Sequence, residues 1–129
     1  MKQDNRTILI IDDSNSALLL TDWVMKEAGY NTMVAENVKT ALEKLKNYKP
    51  DLIVLDLQMP EISGYDFLKM RAHLKIDDVP VIVLSAIDTP ESVELTKSLG
   101  VSFFMSKPVN TDLLAEKVKE ILSRKNEVN

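Results

Sequence analysis

Short apolar runs alternate along the chain with longer segments that have helical periodicity. Most of these runs are nearly continuous in Ile, Val, Leu, Phe or Met, as strands buried on both faces should be. The alternation predicts βα units and a parallel sheet, and right-handed crossovers make it a doubly wound, three-layer α/β sandwich. The predicted strands are Thr7–Ile11, Asn31–Ala35, Leu52–Leu55, Val81–Leu84 and Ser102–Met105.

Capping and stop signals predict five helices in the intervals. Gly29 and Gly100 suit the left-handed position that follows a helix end. The third helix is expected to run from about Tyr65 to Leu74. Polar residues at 1–6 and 124–129 predict frayed ends around a core of about residues 6–124. The other helices are predicted to begin near Ser14 to Ser16, after Asn37, after Thr89, and near Asn110 or Thr111.

Length, charge and cysteine content exclude several classes of function. The 129 residues suit one domain, and 16 basic against 20 acidic residues give a net charge of −4, which disfavours direct nucleic-acid binding. With no cysteine, thiol catalysis and thiolate metal sites are excluded. No apolar run is long enough to insert into a membrane, and no secretory segment follows Met1. We therefore expect one cytoplasmic domain over residues 1–129.

Three carboxylates follow or end strands that should share one sheet edge. Asp12 and Asp13 follow the first predicted strand, and Asp56 follows the third. Crowded like charges must protonate, separate or share a cation, and magnesium is commonly held by a few carboxylates and waters. Taken singly, each acid could equally be a helix cap or the end of a strand.

A hydroxyl and an ammonium group are predicted at the same edge. Ser85 follows the fourth strand and Lys107 the fifth. Separately, they read as a turn residue and a solvated lysine. Together with the acids they have the groups that phosphoryl transfer needs: a carboxylate nucleophile, positive charge for the phosphoryl oxygens and a hydroxyl donor.

The motifs in which these residues lie resemble the receiver domain of two-component response regulators, the CheY-like family. The matching stretches are ILIIDDS at 8–14, DLIVLDLQMPEISG at 51–64, VIVLSA at 81–86 and GVSFFMSKP at 100–108. The resemblance implies a flavodoxin-like strand order 2-1-3-4-5 and a phosphoryl donor that is a sensor histidine kinase or a histidine phosphotransfer protein. Because a receiver would fill nearly the whole chain, we expect a stand-alone member that signals to a downstream protein target.

The resemblance also implies a metal site and a phosphoacceptor. Asp56 matches the residue that is phosphorylated. Asp13 would bind Mg²⁺, or Mn²⁺, directly, and Asp12 would do so through water. Asp56 and the backbone carbonyl of Gln58 would complete the protein ligands.

Five positions take further roles from the same resemblance. Ser85 would contact the phosphoryl group and move towards it, and Lys107, with a cis bond to Pro108, would pair with it. Phe104 matches an aromatic that swings inward on phosphorylation, although it lacks the hydroxyl of the more usual tyrosine. Gln58 and Ile87 would tune the phosphoryl lifetime, and the apolar Ile87 predicts slow to intermediate hydrolysis.

Three alternatives to a phosphoacceptor switch follow from the same fold. A small magnesium-dependent aspartyl-phosphate phosphatase of the haloacid-dehalogenase type needs Asp-x-Asp after its first strand, where this chain has Asp12-Asp13-Ser14. A flavodoxin-like cofactor binder needs a loop rich in Ser, Thr and Gly, and this loop is acidic. A phosphorylation-independent interaction domain would not need the full acidic set. We therefore expect no enzymatic activity beyond self-catalysed phosphoryl transfer and autodephosphorylation.

Overall fold

A computed structural model describes residues 5–127, with side chains described as far as residue 124. The strands lie in the parallel order β2-β1-β3-β4-β5, which confirms the expected topology. Each predicted strand is present with its ends shifted by at most one residue. The strands are β1 (Thr7–Ile11), β2 (Asn31–Ala35), β3 (Leu52–Asp56), β4 (Val81–Ser85) and β5 (Phe103–Ser106). The helices are α1 (Asn15–Glu27), α2 (Val38–Leu45), α3 (Gly64–Met70), α4 (Pro90–Ser98) and α5 (Thr111–Glu127).

The register of the sheet brings the carboxyl ends of its central strands together. Ile11 of β1 pairs with Leu55 of β3, so the residues that follow each of them are neighbours. Across β3 and β4, Asp56 pairs with Leu84. Ser85, the last residue of β4, pairs with Ser106 of β5. This edge therefore collects the acids, the hydroxyl and the lysine that the sequence predicts to act together.

The sheet separates two apolar clusters. Alternate strand residues such as Ile8 and Ile10 pack with α1 and α5, whereas Leu9 and Ile11 pack with α2 and α3. Strands whose residues alternate between the two clusters in this way are covered on both faces, as their nearly continuous apolar sequences predict.

The predicted helix signals act as capping interactions. The side chain of Ser14 accepts a hydrogen bond from the Ala17 backbone N–H, and Asn37 does the same for Thr40. Thr89 caps α4, with Pro90 as its first residue. Gly29 and Gly100 have φ angles of 97° and 84°, the left-handed region that the sequence predicts for them.

The predicted end of the third helix is wrong, because α3 ends at Met70 rather than Leu74. At that point the Arg71 Nε and backbone N–H both donate to the Leu68 carbonyl, which interrupts the regular pattern of backbone hydrogen bonds. Residues 71–75 continue as hydrogen-bonded turns, and Leu74 N still donates to Met70 O at 3.0 Å. Lys75, with a φ of 61°, ends these turns.

The prediction of a frayed carboxyl end from Arg124 is also wrong, because α5 continues to Glu127. Arg124 pairs with Glu120 one turn earlier, which supports the last turns of the helix. Arg6 Nη1, from the predicted amino-terminal tail, donates to Leu122 O at 2.9 Å. Residues 1–4, 128 and 129, which belong to the same predicted tails, lie outside the described residues.

Gly64, the first residue of α3, packs directly against the backbone that carries Asp56. A Cβ at this position would lie 2.6 Å from the Asp56 carbonyl oxygen and 2.8 Å from the Leu57 Cα. We expect Gly64→Ala to lower the free energy of unfolding by about 2 kcal/mol, since backbone must shift to make room. Urea unfolding measures this change. A Gly64→Ala variant as stable as the wild type would show that the close approach is not required.

Candidate functional site

Three carboxylates converge at the carboxyl edge of the sheet. Asp12, Asp13 and Asp56 each offer an oxygen atom that lies within 4.8 Å of the other two. The Asp12 and Asp56 residues are only 2% and 3% exposed, whereas Asp13 is exposed. The donor set is all oxygen and includes one solvent-facing ligand, which fits a hard divalent cation that retains waters.

Lys107 reaches into this acidic cluster from the end of β5. Its Nζ lies 3.0 Å from Asp12 Oδ2 and 3.5 Å from Asp56 Oδ1. The Lys107–Pro108 peptide bond is cis, as the resemblance implies. Burial opposes the charged form of Lys107, but its hydrogen bond to Asp12 and the charge of Asp56 outweigh burial and raise the pKa of the ammonium. Lys107 is therefore held as a cation between two carboxylates.

The Asp56 carboxyl is a weaker acid than an ordinary aspartate side chain. Burial, followed by the negative charge of Asp12, raises its pKa to about 6. The positive charge of Lys107 and a backbone hydrogen bond from Gln58 act in the opposite direction but do not cancel the rise. In the absence of a bound cation, Asp56 therefore ionises close to neutral pH.

The Ser85 hydroxyl is engaged on both sides. The residue is 0% exposed, and its Oγ donates to Gln58 Oε1 at 2.9 Å. The same Oγ accepts a hydrogen bond from the Ile87 backbone N–H at 3.1 Å. The Ser85 carbonyl in turn accepts from the Lys107 backbone N–H at 2.8 Å, which ties the end of β4 to the lysine.

Two predicted residues lie beside the cluster rather than in it. Phe104 is half-buried and packs with the cluster on the α2 and α3 side of the sheet, whereas Phe103 packs on the α1 and α5 side. The two adjacent rings therefore point to opposite faces of the sheet. The Ile87 residue is 47% exposed in the loop after β4.

Arg71 is a buried structural residue that sequence reasoning missed, and its partners Val79 and Leu99 come before β4 and β5, at the edge of the sheet opposite the acids. Its guanidinium is buried and donates to the carbonyls of Leu68, Val79 and Leu99, the last at 2.6 Å. Burial lowers the pKa of Arg71, and the nearby charge of Asp77 opposes that change. The arginine thus links the end of α3 to the end of α4. Its sequence context, between apolar and polar residues of a predicted helix, carries no signal of this role.

A second missed contact lies in the loop after β4. Ser106 Oγ donates to Asp88 Oδ2 at 2.9 Å and connects this loop to the last residue of β5. Both side chains are exposed, so no apolar pattern in the sequence indicates the pairing.

Fold and site together define a class of protein. A 2-1-3-4-5 sheet with three carboxylates, a hydroxyl and a lysine at one edge is a flavodoxin-like domain whose acidic edge could hold a metal ion. Residues 8–119 match the family model of the response regulator receiver domain. The chain belongs to this family, whose members act in two-component and phosphorelay signalling.

Curated relatives match over most of this chain. It is 31% identical to sporulation initiation phosphotransferase F of Bacillus subtilis, over 95% of this chain and 98% of that protein. It is 30% identical to the polar-differentiation response regulator DivK of Brucella anthropi, over 91% and 96%. It is 33% identical to the alkaline phosphatase synthesis transcriptional regulatory protein PhoP of Bacillus subtilis, over 93% of this chain. The chain spans about half the length of PhoP, with 50% of that protein covered.

Solved structures show the same fold. A CheY-like receiver domain protein from Methanospirillum hungatei superposes with a TM-score of 0.89 and 25% identity, and 98% of this chain and 100% of that chain are covered. The receiver domain of the Francisella response regulator 1452 gives a TM-score of 0.85 and 32% identity, over 94% and 99%. Across residues 5–127, no helix combines the length and the apolar character needed to cross a membrane.

Proposed function

We propose that Asp56 accepts a phosphoryl group from a phosphohistidine and that its phosphorylation changes a protein-interaction surface of this domain. The observation that carries the proposal is the position of the Asp56 carboxylate, buried beside two other acids with Lys107 Nζ 3.5 Å away. A buried carboxylate with a fixed ammonium neighbour is suited to attack an anionic phosphoryl group.

Each residue of the site has its own role in the phosphoryl transfer. A carboxylate oxygen of Asp56 forms the new O–P bond while the P–N bond to the donor histidine breaks and its electron pair returns to the imidazole. Lys107 offsets charge on the phosphoryl oxygens, and the Ser85 hydroxyl donates to one of them. The Lys107 ammonium already faces Asp56, so little reorganisation is needed on that side.

Asp12, Asp13, Asp56 and the backbone carbonyl of Gln58 would hold Mg²⁺, or Mn²⁺, at this edge. Asp13 is the exposed acid and would bind the ion directly, whereas the buried Asp12, whose Oδ2 accepts from Lys107, would bind through water. When bound, the ion supplies positive charge that lowers the repulsion between an anionic nucleophile and an anionic phosphoryl group.

The partners follow from this chemistry. The donor is a sensor histidine kinase or a histidine phosphotransfer protein, and the output is a contact with a downstream protein. Ser85 and Phe104 carry the change from the site to the surface, while Gln58 and Ile87 set a slow to intermediate rate of hydrolysis. The domain is not an enzyme apart from its own phosphorylation and dephosphorylation, and it acts in the cytoplasm.

Incubation with Mg²⁺ and acetyl phosphate, followed by intact mass measurement, tests the proposal. We expect the wild type to gain one phosphoryl group and Asp56→Asn to gain none. Asp112→Asn, which neutralises an exposed carboxylate in the first turn of α5, should label like the wild type. A wild type that binds the metal but takes no label would favour a phosphorylation-independent interaction domain. Repeated turnover of small phosphate esters would favour the phosphatase.

A further inference from the structure

We propose that the Gln58 side chain positions the Ser85 hydroxyl before phosphorylation and must release it for the phosphorylated state to form. This inference rests on the proposed function, because it concerns the hydroxyl that would contact the phosphoryl group. It assigns Gln58 a role in the equilibrium between two positions of Ser85, which is separate from any role in directing water during hydrolysis.

The hydrogen bonds of Ser85 carry the proposal. A serine hydroxyl has one proton to donate, and here that proton points to Gln58 Oε1 at 2.9 Å. Its oxygen also accepts from the Ile87 backbone N–H at 3.1 Å, so both capacities are used. Because Ser85 is completely buried, water is not at hand to replace a lost partner.

The single proton makes the two interactions exclusive. The Ser85 hydroxyl cannot donate to Gln58 and to a phosphoryl oxygen on Asp56 at the same time. Formation of the second contact therefore costs the first, and a shift of the oxygen towards Asp56 would also change its contact with the Ile87 N–H. The amide of Ile87 is accordingly a direct reporter of where the hydroxyl lies.

The backbone of Gln58 is held in place beside Asp56, so the starting point of its side chain is fixed. Gln58 lies two residues after Asp56, and its backbone hydrogen bond to the Asp56 carboxylate ties it to the acceptor. The residue itself is exposed, so its side chain can leave Ser85 for solvent without opening a cavity. A short, anchored and solvent-accessible amide is well suited to hold the hydroxyl reversibly.

The test uses beryllium trifluoride with Mg²⁺, which stands in for a phosphoryl group on a carboxylate but does not hydrolyse, so water positioning cannot influence the result. Gln58→Leu keeps the size of the side chain and removes the acceptor. We expect it to bind the mimic about fivefold more tightly than the wild type, the factor that one net hydrogen bond represents. Asn47→Leu also replaces a side-chain amide with leucine, but at an exposed position in the loop before β3, at the edge of the sheet opposite the acids. This variant should bind the mimic like the wild type.

The Ser85→Ala background shows whether the effect passes through the hydroxyl. There we expect Gln58→Leu to leave the affinity for the mimic unchanged. In the chain with Ser85 intact, the Ile87 amide resonance of metal-free Gln58→Leu should also move towards its position in the mimic-bound wild type. An equal tightening in the Ser85→Ala background, or an unmoved Ile87 resonance, would overturn the positioning role.

The same titration with the mimic distinguishes a failure of the phosphoacceptor assignment from a failure of the positioning role alone. A wild type that binds Mg²⁺ but does not bind the mimic, or that binds it as well as Asp56→Asn does, overturns the phosphoacceptor assignment and the positioning role together. A wild type that binds the mimic through Asp56, with Gln58→Leu unchanged from it, overturns the positioning role alone.

Discussion

Lys107→Met should lower the rate of phosphorylation by acetyl phosphate in the presence of Mg²⁺ by about a hundredfold, the scale expected when one preorganised charge is removed from a buried site. Methionine retains most of the length and apolar character of the stem but lacks the ammonium that lies 3.5 Å from Asp56 Oδ1. Without that charge, the incoming phosphoryl oxygens lose one of their positive neighbours. The rate is measured by intact mass over time.

Two controls sharpen the interpretation of Lys107→Met. Lys97→Met removes an exposed ammonium from the last turn of α4 and should label at the wild-type rate. Titration of Mg²⁺ shows whether the cation still binds, because Lys107 also pairs with Asp12 at 3.0 Å. A Lys107→Met rate within twofold of the wild type, with the cation bound, would contradict the assigned role.

Asp56→Asn should stabilise the metal-free protein at neutral pH by about 3 kcal/mol. Burial and the charge of Asp12 raise the pKa of Asp56 from 3.8 to about 6, and each pKa unit corresponds to about 1.4 kcal/mol. The folded protein therefore holds an unfavourable negative charge that the unfolded chain exposes to water. Asparagine has nearly the same shape and carries no charge.

The pH dependence of this difference has a defined sign. Between pH 3.8 and about 6, the folded state binds more protons at Asp56 than the unfolded state, so stability falls as the pH rises through this range. Well above pH 6, where Asp56 is fully ionised in the folded state as well, the penalty is complete and constant. The advantage of Asp56→Asn should therefore grow from pH 4 to pH 6 and then level off.

Urea unfolding in EDTA at a series of pH values measures the effect. Glu94→Gln, which neutralises an exposed carboxylate on α4, should follow the wild-type curve. Added Mg²⁺ should narrow the gap between Asp56→Asn and the wild type, because a bound cation stabilises the ionised carboxylate. A gap that is the same at pH 4 and pH 7 would mean that the ionisation of Asp56 is not its cause.

The sheet and the acidic edge could be predicted because both depend on short-range patterns. Continuous apolar runs identify strands buried on two faces, and parallel strands place all their carboxyl ends together. A polar residue immediately after such a run is therefore located without knowledge of packing. Asp12 and Asp56 come together for this reason, as the pairing of Ile11 with Leu55 shows.

Contacts that depend on side-chain direction could not be predicted. The hydrogen bond between Ser85 and Gln58 joins residues 27 positions apart through rotamers that only the packed structure fixes. Arg71 looks like a surface residue in the sequence, yet its guanidinium satisfies three carbonyls from separate segments. That same arginine is the residue at which α3 ends, so the error at Leu74 and the missed buried cation fall at one position.

The sheet divides the core into two apolar clusters, and the phenylalanines on its two sides can report on each cluster separately. Of its three phenylalanines, Phe67 and Phe104 pack on the α2 and α3 side and Phe103 on the α1 and α5 side. Fluorine-labelled phenylalanine would therefore yield three resonances from two insulated compartments. A signal that starts at Ser85 and passes through Phe104 would shift one resonance strongly, with Phe103 next to it in the chain serving as the internal reference.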